Sequence, residues 1–408
     1  MAEPEESSEP SRKKCKVTRE FDFKRYGKRR VLLMVSYLGW DYCGLVFQPE
    51  VANTVEASLY TALIKTKLVE SIETANYQRC GRTDKGVSAF RQVVSLDVRS
   101  LISEGEGVFV PEGYSPCTTS SNQTYELNYV EMLNRVLPSD IRVLAWAAVP
   151  INTSARYDCR QRTYKYFFAK ADLNIDLMRT AGQLFVGKHD LRNFCRLDLS
   201  KNKIKTTLRD ITAVTIDLAD QNSTGNDPFD MYVLTISAPA FLWHQIRNMV
   251  SVLVHIGQGK EEPDIITKLL DVETCPRKPQ YAPASEIPLI LYNCQFGDVK
   301  WHWDRVSRKI LLGHLQRQWL EMSVKTQMLK SMCEDLAREA AEDDPTFPAV
   351  IEQANALIPD QRRGKYVNLL RRPTGPSMEQ MQAKCDARKA KKEQEESKDQ
   401  TSNISDSG

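Results

Sequence analysis

YQRCGRTDKGVSAFRQVVSLDVR, residues 77 to 99, joins a glycine-bounded loop to a strand pattern. From Val93 onward, Val94, Leu96 and Val98 fall on one side and Val93, Ser95, Asp97 and Arg99 on the other, the period of a strand with one buried face. The loop before it, Cys80-Gly81-Arg82-Thr83-Asp84-Lys85-Gly86-Val87, has a glycine near each end and an acid near its tip between two cations. Glycine allows a sharp turn or a close approach by another molecule. Two readings stand at this point: an ordinary Asp84-Lys85-Gly86 turn, or a carboxylate presented beside Arg82 from a rigid scaffold.

Upstream, residues 31–38 (VLLMVSYL) form an apolar run that predicts a buried strand. Asn53-Thr54-Val55-Glu56 has the form of a capping box, with Asn53 as cap, and predicts a helix burying Val55, Leu59, Ala62 and Leu63. Residues 100–124 are rich in Gly, Ser, Pro and Glu and read as a mobile insertion. Residues 125–137 then read as a helix stopped by Pro138, and 141–149 as a strand. The mixture begins again with an aromatic strand, 162–168, carrying Tyr164, Tyr166 and Phe168 on one face. A helix at 175–185 and strands at 208–218 and 231–236 follow. A helix at 243–256 has Ile246, Met249, Val250, Leu253 and Val254 along its buried face, and a short helix (264–270) and a strand (287–296) complete the half. Two successive halves, about 30–149 and 154–296, would enclose a cleft.

The 408 residues suffice for two or three domain-sized units. The divisions read as a basic arm (1–30), a first lobe carrying the Asp84 loop (31–150), a second lobe (151–300), a helical extension (301–375) whose helical segment 314–342 packs by one stripe, and a disordered charged tail (376–408). The net charge of +3 hides a basic run from Arg12 to Arg30, suited to nucleic acid, to a nuclear-import receptor, or to plain solvation. A second basic cluster is Arg362, Arg363, Lys365, Arg371 and Arg372. The ten cysteines form no CxxC pair, which points to reduced thiols in an intracellular protein and away from a structural zinc site. No apolar signal region or membrane-length run is present, so no membrane partner is expected.

Four islands stand out together: Gly81-Arg82-Thr83-Asp84-x-Gly86-Val87, Arg156-Tyr157 with Arg162-Thr163-Tyr164-x-Tyr166, Phe241-Leu242-x-His244-Gln245-Ile246-Arg247-Asn248-Met249-Val250, and Ala282-Pro283-Ala284. Their order and content resemble the TruA family of tRNA pseudouridine synthases over about residues 31–296. The wording NYQRCGRTDKGVSAF, with Asn134-Arg135-Val136-Leu137-Pro138 and Gln258-Gly259, is most similar to the eukaryotic branch that modifies uridines 38 and 39 of the anticodon stem-loop.

The resemblance implies an α/β (α+β) fold of two pseudo-duplicated lobes, whose mainly antiparallel strands form a continuous sheet under a central RNA-binding cleft. It implies uridine isomerisation with no cofactor and no metal, tRNA as partner, a possible homodimer, and residence in nucleus and cytoplasm. Asp84 is then the catalytic carboxylate, Arg247 the arginine that pairs with it, and Tyr164 the ring that stacks on the target base and helps remove the C5 proton. Arg82, Lys85, Arg156 and Arg162 are expected to contact the RNA, while Tyr166 and Phe168 read as core and His244 as structural. Bacterial members commonly have His at Ser88, Phe at Tyr157 and Gly at Ser251 and Glu286, and the last puts the pocket wall in question. Two other readings are a sister-branch synthase acting on other tRNA positions or messenger RNA, and a non-catalytic RNA chaperone on the same fold.

Overall fold

The apolar run that starts the first half becomes β1 (Gly27–Tyr37), the strand to which its neighbours are fitted. The computed structural model describes residues 21–115, 125–197, 206–347, 357–358, 366–384 and 386–387. β1 starts before the hydrophobic run because Arg29 and Arg30 are drawn into the fold, Arg29 by Glu126 at 3.1 Å and Arg30 by Asp97 at 3.1 Å. The last four residues of the expected basic arm therefore belong to the sheet, and residues 1–20 lie outside the described residues.

The remaining strands of the first half are β2 (Gln78–Arg79), β3 (Ser88–Ser100), β4 (Val108–Phe109) and β5 (Ile141–Ala148). β3 runs antiparallel to β1, with Val31 opposite Leu96 and Leu33 opposite Val94, which places the alternating valines in one core. β4 also pairs with β1. Part of the stretch read as a mobile insertion is thus ordered, while its residues 116–124 lie outside the described ones.

The second half supplies β6 (Gln161–Ala169), β7 (Gly187–Asp190), β8 (Leu208–Ile211), β9 (Ala213–Leu218), β10 (Met231–Ala238) and β11 (Leu289–Gln295). The single strand expected over 208–218 is divided at Thr212, and β8 leaves to pair with β7 in a separate ribbon. The main sheet has nine strands, ordered β4-β1-β3-β11-β6-β10-β9 with β2 and β5 at its side. β11 joins the halves: it is parallel to β3 and antiparallel to β6, and every other pair in the sheet is antiparallel. The mixed, mainly antiparallel continuous sheet expected from the sequence is the observed fold.

Helices α1 (Val55–Lys65) and α2 (Tyr129–Asn134) cover the first core, and α3 (Ile175–Gln183), α4 (Gln245–Gly257) and α5 (Ile265–Leu270) the second. The cap of α1 is Thr54, whose hydroxyl accepts from Ala57 N, not Asn53, whose side chain donates to Asp41 O. Glu56 is fully buried and holds Arg79 and Tyr77 instead of closing a capping box. All thirteen residues of α4 are buried. Its far side is covered by the chain's later segment, where Ile358 and Leu369 enter the same core and the Tyr366 ring lies 5.2 Å from that of His255. The final long helix, α6 (Arg305–Asp343), has no fully buried residue, and the expected stripe is made only over its first turns, where Leu311, His314, Leu315 and Gln318 are half-buried. Its contact with the body is light, through Leu311 beside Met34 and Leu144 and through Lys330, 2.7 Å from Asp227. Residues 378–384, placed in the disordered tail, are helical, and Glu379 reaches Arg192 at 3.2 Å.

Candidate active site

The loop between β2 and β3 is fixed from three sides. Thr83 Oγ1 shares a 2.6 Å hydrogen bond with the buried Tyr37 hydroxyl of β1. Leu45 N donates to Thr83 O, and Gly86 N donates to Tyr42 O. Val87 N donates to Asp84 O, closing a four-residue turn with Gly86 at its third position and φ of +78°. That is the type II geometry, which requires positive φ at this position and so favours glycine. A Cβ on Gly86 would also come within 2.7 Å of Glu286 Cγ. Gly81 has no such requirement: a Cβ there would meet only ordinary contacts at 3.8 Å, and Gln92 fixes it by bonding both its N and its O. The turn and the presented carboxylate are therefore one object, with the turn as scaffold.

Asp84 lines an open cleft whose walls include Arg82, Tyr164, Phe241, Trp243 and Arg247. Tyr164, from β6, packs against both cores and stands edge-on to Phe241 with centroids 5.2 Å apart. Burial, followed by the neighbouring Cys294 thiol and Tyr37 phenol, pushes its own phenol well above the ordinary range, so the ring is neutral. Tyr166 and Phe168, on the same face, are buried core residues as expected.

The expected direct pair between Arg247 and Asp84 is absent. Arg247 donates from Nε to Ala284 O at 2.6 Å and lies 2.8 Å from Glu286. Asp84 instead accepts from the Trp243 indole Nε1 at 3.0 Å, and His244 Nε2 lies 3.4 Å from its other oxygen. His244 is thus at the site, not a remote structural residue, and it caps α4 in the left-handed region at φ of 58°. Its pKa is lowered to about 4, first by burial and then by Arg247, Arg196 and Lys278, so it faces Asp84 uncharged at neutral pH. The Asp84 carboxyl is pushed up chiefly by burial, while the Trp243 hydrogen bond and the Arg247 charge oppose that rise and Glu286 adds to it. Sequence reasoning missed Trp243 and Glu286. Trp243 occupied an unassigned place in the third island, and Glu286 was visible only as a departure.

Of the residues expected to meet RNA, Arg82 is exposed at the cleft and Lys85 is exposed on the turn, outside the lining. Arg156 is exposed and its guanidinium lies 5.3 Å above the ring of Tyr157, which is itself exposed. Arg162 is not available: it is buried, donating to the carbonyls of Cys80, Arg156 and Pro239. Its role is to tie the start of the Asp84 loop to the second half. Beside it, the buried sulfurs of Cys80, Cys159 and Cys294 lie within 4.8 Å of one another.

The sequence model of the family described as tRNA pseudouridine synthase matches residues 181–297. The human tRNA pseudouridine(38/39) synthase is 42% identical over 379 residues, covering 89% of this chain and 78% of that protein. The Saccharomyces cerevisiae protein of the same name is 40% identical, covering 70% of this chain and 62% of its own length. A tRNA pseudouridine synthase A of Methanosphaera stadtmanae is 29% identical, covering 72% of this chain and 93% of that protein.

Proposed function

Because the chain belongs to the TruA family of tRNA pseudouridine synthases, we propose that it converts uridine to pseudouridine at positions 38 and 39 of the tRNA anticodon stem-loop, with Asp84 as the reacting carboxylate. The observation that carries this reading is that Asp84 is the one carboxylate among the described residues lining the cleft, which it shares with the neutral Tyr164 ring and the cations Arg82 and Arg247. Glycoside hydrolysis uses two flanking carboxylates, whereas an isomerisation that returns the base to its own sugar needs one. Atoms and electrons are conserved between substrate and product, so no co-substrate enters.

The target uridine must leave its stack, at a cost of a few kcal/mol, and stacking on Tyr164 at roughly 1–3 kcal/mol offsets much of that. Asp84 attacks, the N1–C1′ bond breaks, and the freed uracil turns to present C5 to C1′. The Tyr164 phenol is held protonated and is a poor base in that state. Asp84, released once the C5–C1′ bond has formed, is the base for the C5 proton, N1 takes up a proton from solvent in its place, and Tyr164 is the stacking platform that keeps the turned ring in place. Arg82, at the mouth, fills the space left by the flipped nucleotide, and Lys85 and Arg156 meet phosphates. The lysines and arginines before Gly27 serve RNA binding or nuclear import, for a protein shared between nucleus and cytoplasm.

A homodimer is supported by α6. Leu312, Leu315, Trp319, Met322, Thr326, Leu329, Cys333, Leu336 and Ala340 alternate at spacings of three and four, a heptad seam in which no position is buried by the other described residues. Its occupant in this reading is α6 of a second copy.

The experiment is tritium release from tRNA labelled at uracil C5. Asp84→Asn is expected to abolish release while tRNA affinity stays within about tenfold, since affinity rests mainly on dispersed phosphate contacts. Retained turnover overturns the role of Asp84. No release by the unchanged protein favours the RNA chaperone, and product mapped away from 38 and 39 favours the sister branch.

A further inference from the structure

Cys80, Cys159 and Cys294 come from three separate segments: the residue before Gly81, the connection into β6, and β11. Each is at most 7% exposed, and the Cys80 and Cys294 sulfurs are 3.4 Å apart. Tetrahedral zinc–thiolate bonds of about 2.3 Å place sulfurs about 3.8 Å apart, so the three atoms already stand near the corners of such a site. An independent feature concerns charge. The buried guanidinium of Arg162 bonds only carbonyls, and no carboxylate lies within ion-pair distance of it among the described residues. A buried cation without a counter-charge is costly. Three thiolates around a divalent ion carry one net negative charge, which this guanidinium balances.

We propose that Cys80, Cys159 and Cys294 form a binding site for a thiophilic divalent cation, Zn²⁺ being the probe, with Arg162 as its counter-charge. Binding releases three thiol protons and forms three metal–sulfur bonds, leaving the fourth corner to a water. The ion fastens the first residue of the Asp84 loop to β11 and to the connection between the halves. Nothing in this depends on the reaction assigned to Asp84.

The test uses the full chain, purified under reducing conditions without chelator, with metal measured by mass spectrometry. About one zinc per chain is expected, with at least a tenfold loss in Cys159→Ser and no change in Cys333→Ser, whose thiol is exposed on α6. Titrating the metal-stripped protein with Co²⁺ should give an intense thiolate-to-cobalt charge-transfer band, absent in Cys159→Ser. Less than about a tenth of a zinc per chain together with no such band in the unchanged protein overturns the site. Full metal retention by Cys159→Ser does the same. If Cys159→Ser does not fold, the cobalt band of the unchanged protein decides.

Discussion

The Arg247 guanidinium lies 2.8 Å from the carboxylate of Glu286, and this pair sets how much positive charge reaches Asp84. In Glu286→Gln the guanidinium loses its neutralising partner and Asp84 loses a neighbouring negative charge. Both changes favour the ionised form of Asp84, whose carboxyl is now pushed up by burial and by Glu286. An attacking carboxylate must be ionised, so activity is lost as pH falls through its pKa, and a lower pKa moves that loss to lower pH. The acid limb of kcat/KM for tritium release is expected to shift down by roughly 0.5–1 pH unit. An unmoved limb, or one shifted upward, would show that Glu286 does not act on Asp84.

Trp243 acts on the same carboxylate in the opposite sense. Trp243→Phe keeps an aromatic ring beside Arg196, now 4.5 Å away, but removes the N–H that bonds Asp84 at 3.0 Å. A hydrogen bond to a charged group contributes about 1.5–3 kcal/mol, and the partly exposed indole belongs at the lower end. A fall of roughly tenfold in kcat is expected, with the acid limb moved to higher pH because an interaction with the ionised form is gone. A lower kcat with an unchanged acid limb would assign Trp243 to substrate stacking alone.

Local pattern made much of this legible, and what it missed was tertiary. The alternation in β3, the aromatic strand of Tyr164 and the apolar face of α4 are all short-range signals, and each forms the expected element. The α1 cap was displaced by one residue because Asn53 and Thr54 are both good caps, and only the fold directs Asn53 to Asp41 O. The partners of Arg162 and Arg247 are mostly carbonyls from distant segments, and carbonyls have no sequence signature. The three thiols meet across the seam between the halves, so no spacing announces them.

That distinction separates two arginines of one motif. Arg156 is exposed and Arg162 buried, so their substitutions should fail differently. Arg156→Ala is expected to keep the melting temperature, weaken tRNA binding and reduce the slope of log affinity against log salt by about one. Arg162→Ala leaves three carbonyls without their donor, and a loss of about 2–4 kcal/mol in urea unfolding is expected. A destabilised Arg156→Ala with an unchanged salt slope would reverse the assignment.

The exposure of α6 leads to a prediction about mass. Trp319, Leu329 and Leu336 are 68%, 63% and 65% exposed, and the apolar seam runs from Leu312 to Ala340 within the 39-residue helix, about 43 Å. A monomer seldom leaves an apolar stripe of that length in water. A heptad seam is self-complementary under a two-fold axis, so a second α6 would cover it without any other protein. Light scattering at micromolar concentration should give twice the chain mass. Leu329→Glu with Leu336→Glu should give the single mass and an unchanged unfolding midpoint for the body, because neither side chain is buried within one chain. A monomeric unchanged protein, or a doubly substituted one that remains dimeric, would remove α6 as the dimer contact.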